Sequence, residues 1–276
     1  MKKAILVISF GTSHLDTLQK TIEKVEGDIK KRFEGEYEVI RAFTAHKIIK
    51  KLKEKHGLEI QTPEEALEML SRDNFEEVVI QPLHLIAGEE FDYIKKVTKQ
   101  YEDKFKSLIL SRPMLYFECE EERTRDYSNL AKALKEFLPK KENYILIGHG
   151  TNHPAGASYG CLQNIFADND MDNFFVGTVE GYPSYEVTLK RLKKANAKNV
   201  LLIPLLLVAG DHAKNDIAGD DEDSWKSMLL EEGFNVEVFL HGLGEFDEIS
   251  KLYLNHLEDA MSMELRGLGE TKKGVK

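Results

Sequence analysis

A chain of 276 residues with 42% hydrophobic side chains is long enough to bury one large core or two of ordinary size. Its 38 basic against 48 acidic residues leave a formal net charge of −10, which argues against nucleic acid as the main partner and obliges a polyanionic substrate to find a locally basic rim. No stretch approaches the roughly 18 apolar residues of a membrane span, and Cys119 and Cys161 show no paired spacing, so a cytoplasmic protein with unpaired thiols is expected.

Residues 3–10 read as a first strand. The apolar run there is about seven residues long and lacks a small-x-small cleavage site, so it is not read as a secretory leader. A Gly11-Thr12-Ser13 turn leads into an amphipathic helix over 14–33, with Thr12 or Ser13 as cap and Asp16 in the first turn. Residues 37–43 form the second strand. The helix over 47–55 carries five lysines, which suit either a solvated face or a rim for carboxylates. Thr62-Pro63-Glu64-Glu65 opens a helix to Arg72, with a threonine cap, proline at the first helical position and Glu65 at the capping-box position. A strand over 78–88, a helix over 89–105, a short strand over 107–110 and a charged helical stretch over 118–137 complete the first half.

The second half replays the first. Residues 144–151 answer 6–12, and a strand over 174–179 exits at Glu180. Tyr182-Pro183-Ser184 starts a helix in the manner of Thr62-Pro63. The apolar run over 200–210 reads as a strand buried on both faces and mirrors 78–88: Pro204 stands for Pro82, Gly210 for Gly88, and His212 where the earlier copy has Glu90. A helix over 221–232, a strand over 235–239 and a terminal helix over 245–265 follow. The fold class is therefore α/β: two similar doubly wound parallel-sheet domains related by internal duplication, facing each other over a ligand cleft. Their bounds are 1–140 and 141–266, with a disordered tail over 267–276 and a terminal helix free to pack back on the first domain.

Ligands of open parallel sheets bind at the carboxyl ends of the strands. His149, Glu180 and His212 leave three such ends, with glycines nearby that let backbone approach a ligand. Two imidazoles and one carboxylate with open positions suit divalent iron, cobalt, nickel or zinc. The duplication sets Glu90 opposite His212, either as an acid–base partner or as a first-turn helix acid. His84 replaces Leu206 of the other copy and reads as core. His14 and His153 follow matching Gly-Thr turns and read as helix-start residues, with His153 also a pocket candidate. Asp216 and residues 220–223 form an acidic loop that suits either capping and solvation or weak recruitment of a divalent metal. Residues 168–173 have the acidity of a calcium loop but lack its sixth-position glycine and twelfth-position glutamate. Neither GxGxxG nor a Walker loop is present, and Gly148-His149-Gly150 lacks the serine of a nucleophile elbow.

Val7-Ile8-Ser9-Phe10-Gly11-Thr12-Ser13, Gly148-His149-Gly150, Val179-Glu180-Gly181-Tyr182-Pro183 and Leu207-Val208-Ala209-Gly210-Asp211-His212-Ala213-Lys214-Asn215-Asp216 together resemble the anaerobic sirohydrochlorin cobaltochelatase family, class II tetrapyrrole chelatases related in fold to the protoporphyrin ferrochelatases. The similarity covers nearly the whole chain. It implies ATP-independent insertion of divalent cobalt into sirohydrochlorin, an early step of oxygen-independent cobalamin synthesis, with no nucleotide cofactor. The family's metal ligands carry over to His149, Glu180 and His212, its base to His149, and a further catalytic acid to Glu90. Substrate contacts are expected at Phe10, Gly11, Thr12, Gly88 and Lys214, with Arg41 and Lys47 as further partners for peripheral carboxylates. Two departures stand beside these positions: Gly181 where serine is expected, and Glu89 in place of aspartate. Same-site alternatives are a ferrochelatase using Fe2+ for sirohaem and a tetrapyrrole or metal carrier without turnover. Nucleic acid and membrane are not expected partners, and a homo-oligomer is left open.

Overall fold

The computed structural model describes residues 2–118 and 124–262; Cys119, the start of the expected 118–137 helix and the tail over 267–276 lie outside the described residues. In chain order its elements are β1 (Lys2–Ser9), α1 (Leu15–Lys20), α2 (Ile22–Arg32), β2 (Glu38–Phe43), α3 (His46–His56), α4 (Pro63–Arg72), β3 (Phe75–Pro82), α5 (Glu89–Tyr101), β4 (Ser107–Leu110) and α6 (Asp126–Phe137). There follow β5 (Tyr144–Gly150), α7 (Ala157–Asp168), β6 (Phe174–Glu180), α8 (Tyr185–Lys194), β7 (Asn199–Pro204), α9 (Trp225–Glu231), β8 (Asn235–Val238) and α10 (Asp247–Met261). None of the described helices is long and apolar enough to cross a membrane.

The strands form two four-stranded parallel sheets with one shared topology, β2-β1-β3-β4 and β6-β5-β7-β8. Small contacts repeat as well: Leu83 N donates to Ile8 O at 2.7 Å, and Leu205 N donates to Ile147 O at 2.8 Å. The internal duplication read from the apolar runs is therefore present in the hydrogen-bond ladder.

The reason for parallel sheets lies in the near-continuous apolar strands, which need cover on both faces. On one face of the first sheet, Leu6, Ile8, Val78 and Ile80 pack against Ala66, Leu67 and Leu70 of α4 and Ile94 and Val97 of α5. In the second, Ile145, Ile147, Val200 and Leu202 meet Leu192 of α8 and Trp225 and Leu229 of α9. Each such aliphatic side chain contributes roughly 1.5–3 kcal/mol on burial. The α4 start carries the full reciprocal cap: Glu65 N donates to Thr62 Oγ1 at 3.3 Å, and Thr62 N donates to Glu65 Oε2 at 2.8 Å.

Three expectations change. Both apolar runs stop being strand at their prolines, Pro82 and Pro204, although the sequence stays apolar for several residues more. Leu206 and Leu207 instead turn into a loop whose carbonyls accept from Leu243 N and Gly244 N at 2.8 and 3.0 Å. The helix expected over 14–33 is broken at Thr21 (φ −117°, ψ −80°), whose buried hydroxyl donates back to Thr17 O at 2.6 Å, a contact that competes with helix continuation.

The chain also parts into two units differently from a cut at residue 140. Among the described residues, one unit comprises 2–13, 25–113 and 250–262; the other comprises 14–24, 114–118 and 124–249. α6 belongs to the second unit, since Tyr127 Oη donates to Ser158 Oγ at 2.9 Å and Lys135 Nζ to Asn169 O at 3.1 Å. Most of α10 belongs to the first: Tyr253 Oη donates to Leu83 O, Ser111 Oγ to His256 O, and Arg112 pairs with Asp259 at 2.7 Å.

His84, read as a core residue, is half-buried. Neither ring nitrogen reaches solvent or a hydrogen-bond partner among the described residues, and burial pushes the imidazole from 6.5 down to about 4. Above pH 6.5 it is neutral folded or unfolded. As pH falls further, the unfolded chain takes up a proton that the folded chain refuses, so stability is lost down to about pH 4. His84→Leu, the side chain of the matching position, should flatten the urea-midpoint decline over that window by about 1 kcal/mol per pH unit. An unchanged acid slope would refute the assignment.

Candidate metal centre

His149 owes its position to the end of β5. Gly150, the next residue, pairs in register with Glu180 and holds φ at +86°. A Cβ there would lie 1.5 Å from the Glu180 carbonyl oxygen, so only glycine lets the two strand exits close on each other. Gly150 N is taken by Tyr159 Oη at 3.3 Å, while His149, half-buried, turns Nδ1 towards Gly150 O at 3.1 Å. Gly181 sits at φ +89° with Thr151 O 3.0 Å from where its Cβ would be. Glycine in place of the expected serine therefore relieves strain at this turn.

His212 arrives by a different route. After β7 the chain loops through Gly210 and turns helical at His212 (φ −60°, ψ −42°), continuing as one π-helical turn over Ala213–Ile217. Ala213 and Ile217 are buried in the second core and anchor that turn, which leaves His212 outward with its side chain 55% exposed. The His149 and His212 rings meet edge to face, centroids 4.6 Å apart and planes at 88°. His212 Nδ1 lies 2.6 Å from Asp216 Oδ2.

The segment 14–24 adds to this edge of the second unit. His14 stands at the start of α1 but makes no side-chain cap; its Nε2 lies 2.6 Å from Asp211 Oδ1. Asp16 is held below the usual carboxylate range, chiefly by the Thr17 backbone N–H and in smaller part by Lys214. His153 does take the helix-start role, accepting from Ala155 N at 3.1 Å.

The fold thus brings together the two imidazoles. Glu180 stands exposed at the neighbouring strand exit, and no group of three or more His, Cys, Asp or Glu side chains gathers to hold an ion among the described residues. His149, Glu180, His212 and Lys214 belong to the second unit; Phe10, Gly11, Thr12, Gly88 and Glu90 belong to the first. Within the first unit Phe10 leaves β1 with 51% of its surface exposed, Gly88 precedes α5, and Glu90 is half-buried in its first turn. Arg41, read as a partner for substrate carboxylates, instead forks onto Glu26, with Nε 2.8 Å from Oε1. On α3, Lys53 pairs with Glu59 and Lys50 with Glu54, as on a solvated face.

Sequence reasoning put Asp216 in an acidic loop after His212 but missed its contact with the His212 ring, and it missed that His14 reaches Asp211. The four-residue spacing of His212 and Asp216 was the available signal, because one helical turn stacks such a pair.

A family model described as cobalt chelatase (CbiK) matches residues 3–262. The chain is 38% identical over 266 residues to a sirohydrochlorin cobaltochelatase of Salmonella typhimurium, spanning 95% of this chain and 98% of that protein. It is 31% identical over 267 residues to the sirohydrochlorin cobaltochelatase CbiKC of Nitratidesulfovibrio vulgaris, spanning 95% and 91% respectively. Bacillus subtilis SirB, solved with Fe3+, is similar with a TM-score of 0.61 at 16% identity over 96% of this chain and 98% of that one, a likeness of fold alone.

Proposed function

This chain belongs to the cobalt chelatase (CbiK) family, and on that premise we propose that it inserts Co2+ into sirohydrochlorin without a nucleotide, as a step of cobalamin synthesis. The observation that carries the reading is the His149–His212 pair. An ion about 2.1 Å from an imidazole nitrogen stands about 3.2 Å from the ring centroid. Two rings sharing one ion therefore have centroids no more than about 6.4 Å apart, and these lie 4.6 Å apart.

Two jobs follow from the chemistry. The incoming cation must shed part of its water shell yet be held loosely enough to leave, which two neutral nitrogens and open positions allow. Glu180 is the third assigned ligand, an exposed carboxylate whose backbone neighbours Gly150 in the ladder. The macrocycle gives up two N–H protons as four pyrrole nitrogens replace the cation's first ligands, so each turnover releases two protons. His149 is the principal base for them and Glu90 a second acid–base group. Phe10, Gly11, Thr12, Gly88 and Lys214 remain the assigned substrate contacts, on family likeness. A cytoplasmic setting accompanies the reading, in keeping with the free thiol of Cys161.

Anaerobic mixing of purified protein, sirohydrochlorin and Co2+, followed by absorbance, should show insertion well above the protein-free control. A rate equal to that control would reduce the protein to a carrier. Faster insertion of Fe2+ than of Co2+ under the same conditions would turn the reading to ferrochelation.

A further inference from the structure

We infer that Asp216 is a positioning residue: it locks His212 in the Nδ1–H tautomer, leaving the Nε2 lone pair as the one free to take a cation. The inference deepens the proposed function, because it concerns how that same site is prepared before metal arrives.

The argument needs only the contact and the chemistry of its two groups. Asp216 Oδ2 lies 2.6 Å from His212 Nδ1. A carboxylate has no proton to give, so the ring nitrogen must donate, and the hydrogen must sit on Nδ1. A neutral imidazole carries one ring proton, so Nε2 is then unprotonated. The backbone of the turn that carries both residues is seated by buried Ala213 and Ile217, which holds the two side chains within reach of each other. Histidines that bind metals are commonly braced in this way, which sets their tautomer and raises ligand basicity.

The two imidazoles of the pair differ in this respect. His149 directs Nδ1 to the carbonyl of Gly150 at 3.1 Å, a longer contact to an uncharged acceptor. His212 is therefore the more firmly braced ring of the pair.

The test begins with metal-free protein labelled with 15N-histidine, read by long-range proton–nitrogen NMR at a pH where imidazoles are neutral, the His212 signals being those lost in His212→Gln. Wild type should show His212 as the Nδ1–H form. Asp216→Ala should shift it towards the Nε2–H form that free imidazole side chains favour, and Asp216→Glu should restore the original form at least in part. Co2+ alone, without tetrapyrrole, should bind Asp216→Ala about 10- to 100-fold more weakly than wild type. Insertion should lose kcat by a similar factor with the KM for sirohydrochlorin unchanged. A wild-type His212 already in the Nε2–H form overturns the inference. So does unweakened Co2+ binding by Asp216→Ala with its fold intact by circular dichroism. Failure of the chelatase reading looks different: wild type would insert no metal, while the tautomer measurement would still decide the role of Asp216.

Discussion

His149→Ala should bring cobalt insertion down by about two to four orders of magnitude, towards the protein-free rate, the usual worth of a positioned acid–base group. The variant loses a proton acceptor and a metal nitrogen together, so its effect should be the largest of any single site change. His212→Ala should fall almost as far, with the loss concentrated in metal affinity, because His149 remains to accept a proton. Neither change should unfold the chain. His149 is half-buried at a strand end, His212 is exposed, and neither belongs to the buried core. Urea midpoints should stay within about 0.5 kcal/mol of wild type, as for surface substitutions generally. Anaerobic absorbance with Co2+ and sirohydrochlorin reads the first effect. Wild-type turnover by His149→Ala would remove the basis for placing the chemistry at this pair.

Gly150→Ala should be the most damaging small substitution for folding, at about 2–4 kcal/mol. Two costs combine. An L-residue in the left-handed region costs roughly 1–2 kcal/mol, and Gly150 holds φ at +86°. The added carbon would also overlap the Glu180 carbonyl oxygen at 1.5 Å, an overlap between two backbones that no rotamer change relieves. The β5–β6 ladder would have to open at the very residues that place His149 and Glu180. Urea denaturation should show a lowered midpoint with an unchanged slope, and insertion should fall along with it. Gly150→Ala with the stability and rate of wild type would mean that the two strand exits do not approach as closely as described.

Much of this architecture was legible one residue at a time. The Thr62 capping box rests on contacts within three residues, and the β4 and β5 strands on unbroken apolar runs, both of which a linear string records directly. Strand ends were less legible. Residues 205–208 are as apolar as those before Pro204, but apolarity reports burial and not backbone state; here the Leu206 and Leu207 carbonyls are satisfied by Leu243 and Gly244, far along the chain. The break at Thr21 was hidden for a related reason, since its threonine is an acceptable helix residue until burial turns its hydroxyl onto Thr17.

The sequence by itself determined the duplication and the parallel α/β class, and it placed His149 at a strand exit. These follow from periodicity and composition, which local physics writes into every window of the chain. Only the tertiary structure decided that the His149 and His212 rings meet with centroids 4.6 Å apart and that Asp216 lies 2.6 Å from Nδ1 of the second imidazole. It also decided that residues 14–24 join the second unit, where His14 meets Asp211. Distances between residues so far apart in the chain are set by how buried side chains such as Ala213 and Ile217 seat the loops between elements, and packing of that kind leaves no periodic mark to read.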